Sequence, residues 1–179
     1  MFTVRALDRL LGRVDACPWS ASAGLYERAD GASSGAQRPT LYTPEERKRR
    51  DSTPWTMVQG ILAPVQFLIF LVSLFLVVRY LDTGAGWEAA TLSVIIKTIA
   101  LFAIMITGCI WEHEVFGRYL FAPAFFWEDL VSMIVMALHT AYLLVFIFGW
   151  FDPQAQMHLA LAAYATYVVN AAQYIVKMR

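Results

Sequence analysis

Four apolar stretches constrain this chain more than any other feature: about Trp55–Leu81, Trp87–Ile110, Phe125–Phe151 and Gln156–Val176. Each is close to the roughly 20 residues that an α-helix needs to cross a bilayer. In hydrocarbon the backbone must satisfy its own polar groups, which a helix does within one segment. The composition agrees, with 59% hydrophobic and 16% charged residues, where a soluble domain carries about 25% charged. Mean hydropathy is +0.53. The expected fold is therefore all-α: a polytopic membrane protein with four transmembrane helices in a bundle. Pro64 lies inside the first span and is expected to kink it. Trp55, Trp87, Trp111, Trp127 and Trp150 fall near segment ends, where interfacial aromatic belts form.

The basic residues are unevenly placed. Arg47, Lys48, Arg49 and Arg50 precede the first span, Arg118 lies between spans two and three, and Lys177 and Arg179 follow span four. The connection between spans three and four has no Lys or Arg. The positive-inside rule then puts both termini and the central loop in the cytoplasm. Formal net charge is zero, which implies no general attraction to nucleic acid. Cys17 and Cys109 have neither a metal-binding spacing nor a disulfide framework.

Two regions are expected: an N-terminal extension, residues 1–40, and a four-helix transmembrane domain, residues 41–179. Val4, Leu7, Leu11 and Val14 recur at helical spacing, which fits a short amphipathic helix on a membrane surface as well as it fits a weakly ordered tail. Residues 15–40, rich in Ala, Ser and Gly, read as a linker. Thr43-Pro44-Glu45-Glu46 has the spacing of a capping box with proline at the first helical position. Pro54 restarts the helix after Asp51, Ser52 and Thr53.

The polar residues at the margins and inside the spans are the candidates for function. Glu112 and Glu114 fall where span two ends, and Glu128 and Asp129 fall just inside span three. Carboxylates at the margin of a hydrocarbon slab face protein, water or a ligand. Glu128 and Asp129 point about 100° apart on a helix, so only one can aim squarely at a given group. Two carboxylates at a helix N-terminus are also favoured simply by its dipole. Lys97 and His139 lie near mid-span on neighbouring antiparallel helices. Lys97 could meet a substrate carboxylate, hold a structural charge or snorkel. His139 could serve as a ligand or proton carrier, or bond to a neighbouring helix. Gln59, Asn170 and Gln173 share the level of the carboxylates, which suggests a polar pocket there. No glycine-rich phosphate loop, HExxH, CxxC or GxSxG is present, so nucleotide, zinc and serine chemistry have no support in the sequence.

Three strings carry a resemblance: LYTPEERKRRDSTPWTMVQGILAPVQFLIFLVSLFLVVRYL, TGCIWEHEVFGRYLFAPAFFWEDLVSMIVMALHTAYL and LAAYATYVVNAAQYIVK. Together they resemble the 3-vinyl bacteriochlorophyllide hydratase family over about residues 41–177. The first forty residues depart from it. The resemblance implies a hydro-lyase of the bacterial inner membrane that acts in bacteriochlorophyll a biosynthesis. Such an enzyme adds water across the C3-vinyl group of a chlorophyllide-type tetrapyrrole and gives the 1-hydroxyethyl derivative, which a dehydrogenase then oxidises. Its expected partners are that substrate, the lipid bilayer and other enzymes of the same pathway.

The candidate residues suit this chemistry. A carboxylic acid, Glu128 or Asp129, would protonate the terminal vinyl carbon while Glu112 helps to hold water. No organic cofactor and no metal of the protein's own is expected. Phe121, Phe125, Phe126 and Trp127 would line a flat pocket. Arg118 could neutralise a carboxylate, His139 could take the substrate's magnesium, and Lys97 could meet its propionate. A ring held at His139 lies deep relative to Glu128, so these two placements compete. A non-catalytic tetrapyrrole carrier or assembly factor is the alternative, and a small transporter using Lys97 is a third.

Overall fold

The computed structural model describes residues 41–178. The expectations for residues 1–40, including Cys17, lie outside them. Among the described residues the chain is helical throughout, with α1 Pro44–Ser52, α2 Pro54–Thr83, α3 Trp87–Phe116, α4 Phe126–Phe148 and α5 Pro153–Met178. The four long helices are each of membrane-spanning length and hydropathy.

Local chemistry sets the boundaries. Thr43 caps α1 through a complete capping box: Glu46 N–H donates to Thr43 Oγ1 (3.2 Å) and Thr43 N–H to Glu46 Oε2 (2.8 Å). Thr53 ends α1 and caps α2, with Pro54 at its first turn. Helix α2 continues through Pro64, whose ring removes the one backbone donor that would have reached the Gly60 carbonyl. The second span is longer than its apolar run, because Glu112, His113 and Glu114 continue the helix until Gly117 (φ 74°) turns the chain in the left-handed region. The third span is shorter than expected, closing at Gly149 (φ 63°). The fourth begins at Pro153, where Asp152 accepts from Ala155 N–H (2.9 Å).

The helices form two hairpins, α2–α3 and α4–α5, which meet through α2 against α5 and α3 against α4. The α3–α4 seam is the sparsest of the four. α1 lies against the C-terminal part of α3, with Tyr42 stacked on Phe116 (5.7 Å) and the Arg50 guanidinium over Tyr42 (4.8 Å). Burial pushes the Tyr42 phenol above its ordinary range. The large side chains that point outward, such as Phe75, Ile99, Ile147 and Ile175, form the apolar girdle that lipid would cover.

Inside, Phe70, Val77, Val94, Leu101, Val135 and Tyr142 make the core. Lipid chains are as apolar as these residues, so packing and polar bonds between helices must supply the cohesion. One polar string does this across three helices: Ser73 Oγ lies 2.7 Å from Ser93 Oγ and 2.5 Å from Tyr164 OH. Replacing Tyr164 by Phe should leave the fold intact and lower its stability by about 0.6–2 kcal/mol. Thermal unfolding in detergent measures the loss; an unchanged midpoint would mean the string contributes nothing.

Candidate active site

The nine-residue connection between α3 and α4 brings the acidic residues together. Glu112 is on the last full turns of α3, and Asp129 is on the first turn of α4. Both are buried, and their carboxyl groups are close enough to act on each other electrostatically. Two buried carboxyls so placed cannot both ionise cheaply, which favours one proton held between them. The connection supplies the other partners. Phe121 N–H donates to Asp129 Oδ2 (2.7 Å), and Ala122 N–H donates to Glu112 Oε1 (2.6 Å). Phe121 reaches this position with φ 59°, a left-handed conformation that costs a residue with a Cβ roughly 1–2 kcal/mol. From α5, Tyr174 OH donates to Asp129 Oδ1 at 3.4 Å.

Glu128, which the sequence groups with Asp129, has a different environment. Its Oε2 accepts from Lys177 Nζ at 2.7 Å, and both side chains are almost fully buried (1% and 2% exposed). Asn170 Nδ2 donates to the Glu128 carbonyl (2.9 Å), and Ser132 Oγ donates to Asn170 Oδ1 (3.2 Å). The 100° divergence along α4 thus sorts the two neighbours, sending Asp129 towards α3 and Glu128 towards α5. Glu128 is an ion-pair partner, and the two converging carboxyls are Glu112 and Asp129.

The other candidates are distributed as follows. Asn170 belongs to the Glu128 cluster. Gln59 donates to Thr107 Oγ1 (2.7 Å) and ties α2 to α3. Arg118 is exposed and forms no ion pair among the described residues. Phe125 is buried between Trp111, Phe116 and Tyr174. Phe126 is half-buried and stacks obliquely between Phe121 and Trp127 on the outer side. Lys97 and His139 are both fully buried in the bundle's interior, away from the pair. Among the described residues no three His, Cys, Asp or Glu side chains converge as a metal site would require. Lys177 and Tyr174, and the N–H groups of Phe121 and Ala122, are absent from the sequence-based set. The spacing Asn170, Gln173, Tyr174, Lys177 was a usable signal, since it lays polar groups along one face of α5.

A protein-family model described as 2-vinyl bacteriochlorophyllide hydratase matches residues 42–179. A 2-vinyl bacteriochlorophyllide hydratase of Rhodobacter capsulatus is 65% identical over 142 residues, covering 79% of this chain and 82% of that protein. One of Cereibacter sphaeroides is 60% identical over 148 residues, covering 82% and 91%. No solved structure matches.

The buried ion pair gives a direct test of the site's scaffold. Glu128→Leu or Lys177→Met alone strands a charge inside the bundle and should destabilise it by about 3–5 kcal/mol. The double variant should recover much of that loss. Unfolding midpoints of all four proteins close the cycle, and additive losses would show that the two groups do not act as a pair.

Proposed function

The chain belongs to the 2-vinyl bacteriochlorophyllide hydratase family, and from that premise we propose that it hydrates the ring vinyl group of a bacteriochlorophyllide with the Glu112–Asp129 pair as its acid and base. The 2-vinyl and 3-vinyl names denote the same substituent under two numberings of the macrocycle. The observation that carries the assignment is the convergence of two buried carboxyls, each held by one of the successive N–H groups of Phe121 and Ala122; with one proton between them they offer an acid beside a base.

The reaction then balances within the pair. The vinyl π electrons take the shared proton at the terminal carbon, leaving a cation on the inner carbon that the macrocycle delocalises. Water attacks there, forming the C–O bond, and gives up a proton to the carboxylate just vacated. The pair ends with the one proton it began with, and a proton and water suffice without an organic cofactor. The Phe121 and Ala122 N–H groups and the Tyr174 hydroxyl hold the carboxyls in place. The Glu128–Lys177 ion pair fixes the start of α4 against α5. Phe126 and Trp127 offer an aromatic flank to the ring. The product is a secondary alcohol beside the macrocycle, suited to a dehydrogenase acting next.

We place this end of the bundle at the cytoplasmic face of the bacterial inner membrane. The exposed Arg47, Lys48 and Arg49 of α1 and the Arg118 connection support that orientation.

Two measurements test these assignments. Glu112→Gln and Asp129→Asn should each lower turnover of 3-vinyl bacteriochlorophyllide by about 10²–10⁴-fold at equal protein level. Glu128→Gln, which can still accept from Lys177, should cost much less. Near-normal turnover in both members of the pair would refute their role. For orientation, a variant lacking Cys17 and Cys109 would carry one new cysteine at Ala85 or Arg118. An impermeant thiol probe on intact cells should label the first and spare the second; the reverse pattern would invert the topology.

A further inference from the structure

Among the described residues the backbone enters the left-handed region at Gly84, Gly86, Gly117, Gly149 and Phe121. Glycine adopts this conformation freely and asparagine tolerates it, whereas a bulky side chain there is a genuine outlier. The chain thus uses glycine for every such turn but one, and puts an aromatic residue at the last. The turn itself does not need the ring, since the N–H that donates to Asp129 Oδ2 (2.7 Å) would be the same in glycine. Nor does the core need it. Phe121 is 36% exposed, while Ala122, Ala124 and Phe125 beside it are buried. Strain of this kind persists at sites where the strained residue serves a function.

The ring belongs to an aromatic face on the outside of the α3–α4 connection. Its centroid is 5.6 Å from that of Phe126, which is 5.6 Å from that of Trp127. Leu130 and Met133 continue the Phe126 side of α4 at helical spacing, and both are exposed. An interfacial belt accounts for aromatic rings at this level, but belts favour Trp and Tyr, whose polar ends meet the headgroups. A belt also gives no reason to use a strained position. What sets Phe121 apart is that one residue carries an exposed ring on the outer face and an N–H bonded to Asp129 on the inner one. A planar molecule lying on this ring is held in register with the acidic pair.

We infer that Phe121 is a substrate-positioning residue: the tetrapyrrole lies from the bilayer side against the exposed rings of Phe121 and Phe126, and only its two-carbon vinyl arm enters toward Glu112 and Asp129. This rests on the substrate class proposed above and adds where the macrocycle sits. A conjugated macrocycle offers its π face to an aromatic ring in an offset or tilted contact. It is about 10–15 Å across by ordinary bond lengths. Glu112 and Asp129 are each only 4% exposed, so the macrocycle stays outside while the vinyl group goes in. The strain is retained because ring and N–H must come from one residue. Glycine at this position would hold Asp129 but leave the pigment without a register.

The test uses the full chain in nanodiscs. Phe121→Asn removes the ring, keeps the N–H and suits the left-handed backbone, so its unfolding midpoint should equal or exceed that of the wild type. It should raise KM for 3-vinyl bacteriochlorophyllide about tenfold or more and change kcat by less than about threefold, the pattern of lost uniform binding. Phe121→Tyr restores a ring and should keep KM within about twofold of the wild type. Phe148→Asn removes an exposed ring at the other end of α4 and should leave KM unchanged. A pigment whose vinyl group has been reduced to ethyl reads binding without turnover, by absorption against empty nanodiscs. Phe121→Asn should weaken its binding about tenfold, and Glu112→Gln by less than about threefold. The two assignments therefore fail separately: full turnover in the Glu112 and Asp129 variants sinks the acid–base pair and leaves the binding result standing. Wild-type KM and pigment affinity in Phe121→Asn would overturn the inference and make Phe121 an interfacial aromatic. A fall in kcat alone would also overturn it and make Phe121 a support for Asp129. If the Asn variant does not fold, Phe121→Leu, apolar but without a π face, is judged by the same criteria.

Discussion

The two hairpins of this bundle are tied at one end through a pair of buried carboxyl groups. Helices α3 and α4 touch sparsely along their length, yet Glu112 of one and Asp129 of the other converge on the connection that joins them and are bonded to its backbone. In hydrocarbon such groups have no water to fall back on, so each bond not made would leave a costly orphan. The left-handed Phe121 is part of the same arrangement. Its strained backbone turns two successive N–H groups inward, one to each carboxyl. The rest follows outward: Tyr174 braces Asp129, and the Tyr42, Trp111, Phe116 and Phe125 rings pack on one another at the same end.

Much of the fold was legible from one dimension because the bilayer leaves few alternatives. Four apolar runs had to be four helices, and the Thr43 box and the Thr53–Pro54 restart marked their own positions. The errors were at the ends. Hydropathy dropped at Ile110, but a helix ends where its backbone is turned, and the left-handed Gly117 did that only after the helix had run on to Phe116. This placed Glu112 inside the bundle instead of at its rim.

The site was legible in residue type and only partly in partnership. The carboxylates at the span margins were conspicuous because charge there is expensive. Which of them meet depended on helix rotation, which no local pattern reports. Lys177 shows the difficulty. Among the basic residues flanking a span it carries topological information, but the turn of α5 aims it at Glu128, where it becomes a counter-ion. Backbone donors such as Phe121 N–H have no sequence signature at all, since every residue but proline has one.

The proposed use of one proton by the Glu112–Asp129 pair has an energetic consequence for the cell. A site buried in a membrane usually feels the transmembrane field when it moves charge, at about 2.3 kcal/mol per charge per 100 mV. In the proposed mechanism the acid that gives a proton and the base that takes one are the same two groups, and the cycle closes with no net transfer to either side. Addition of water by such a pair would neither draw on nor dissipate the proton-motive force, so this step would proceed alike in an energised membrane and in one whose gradient has collapsed.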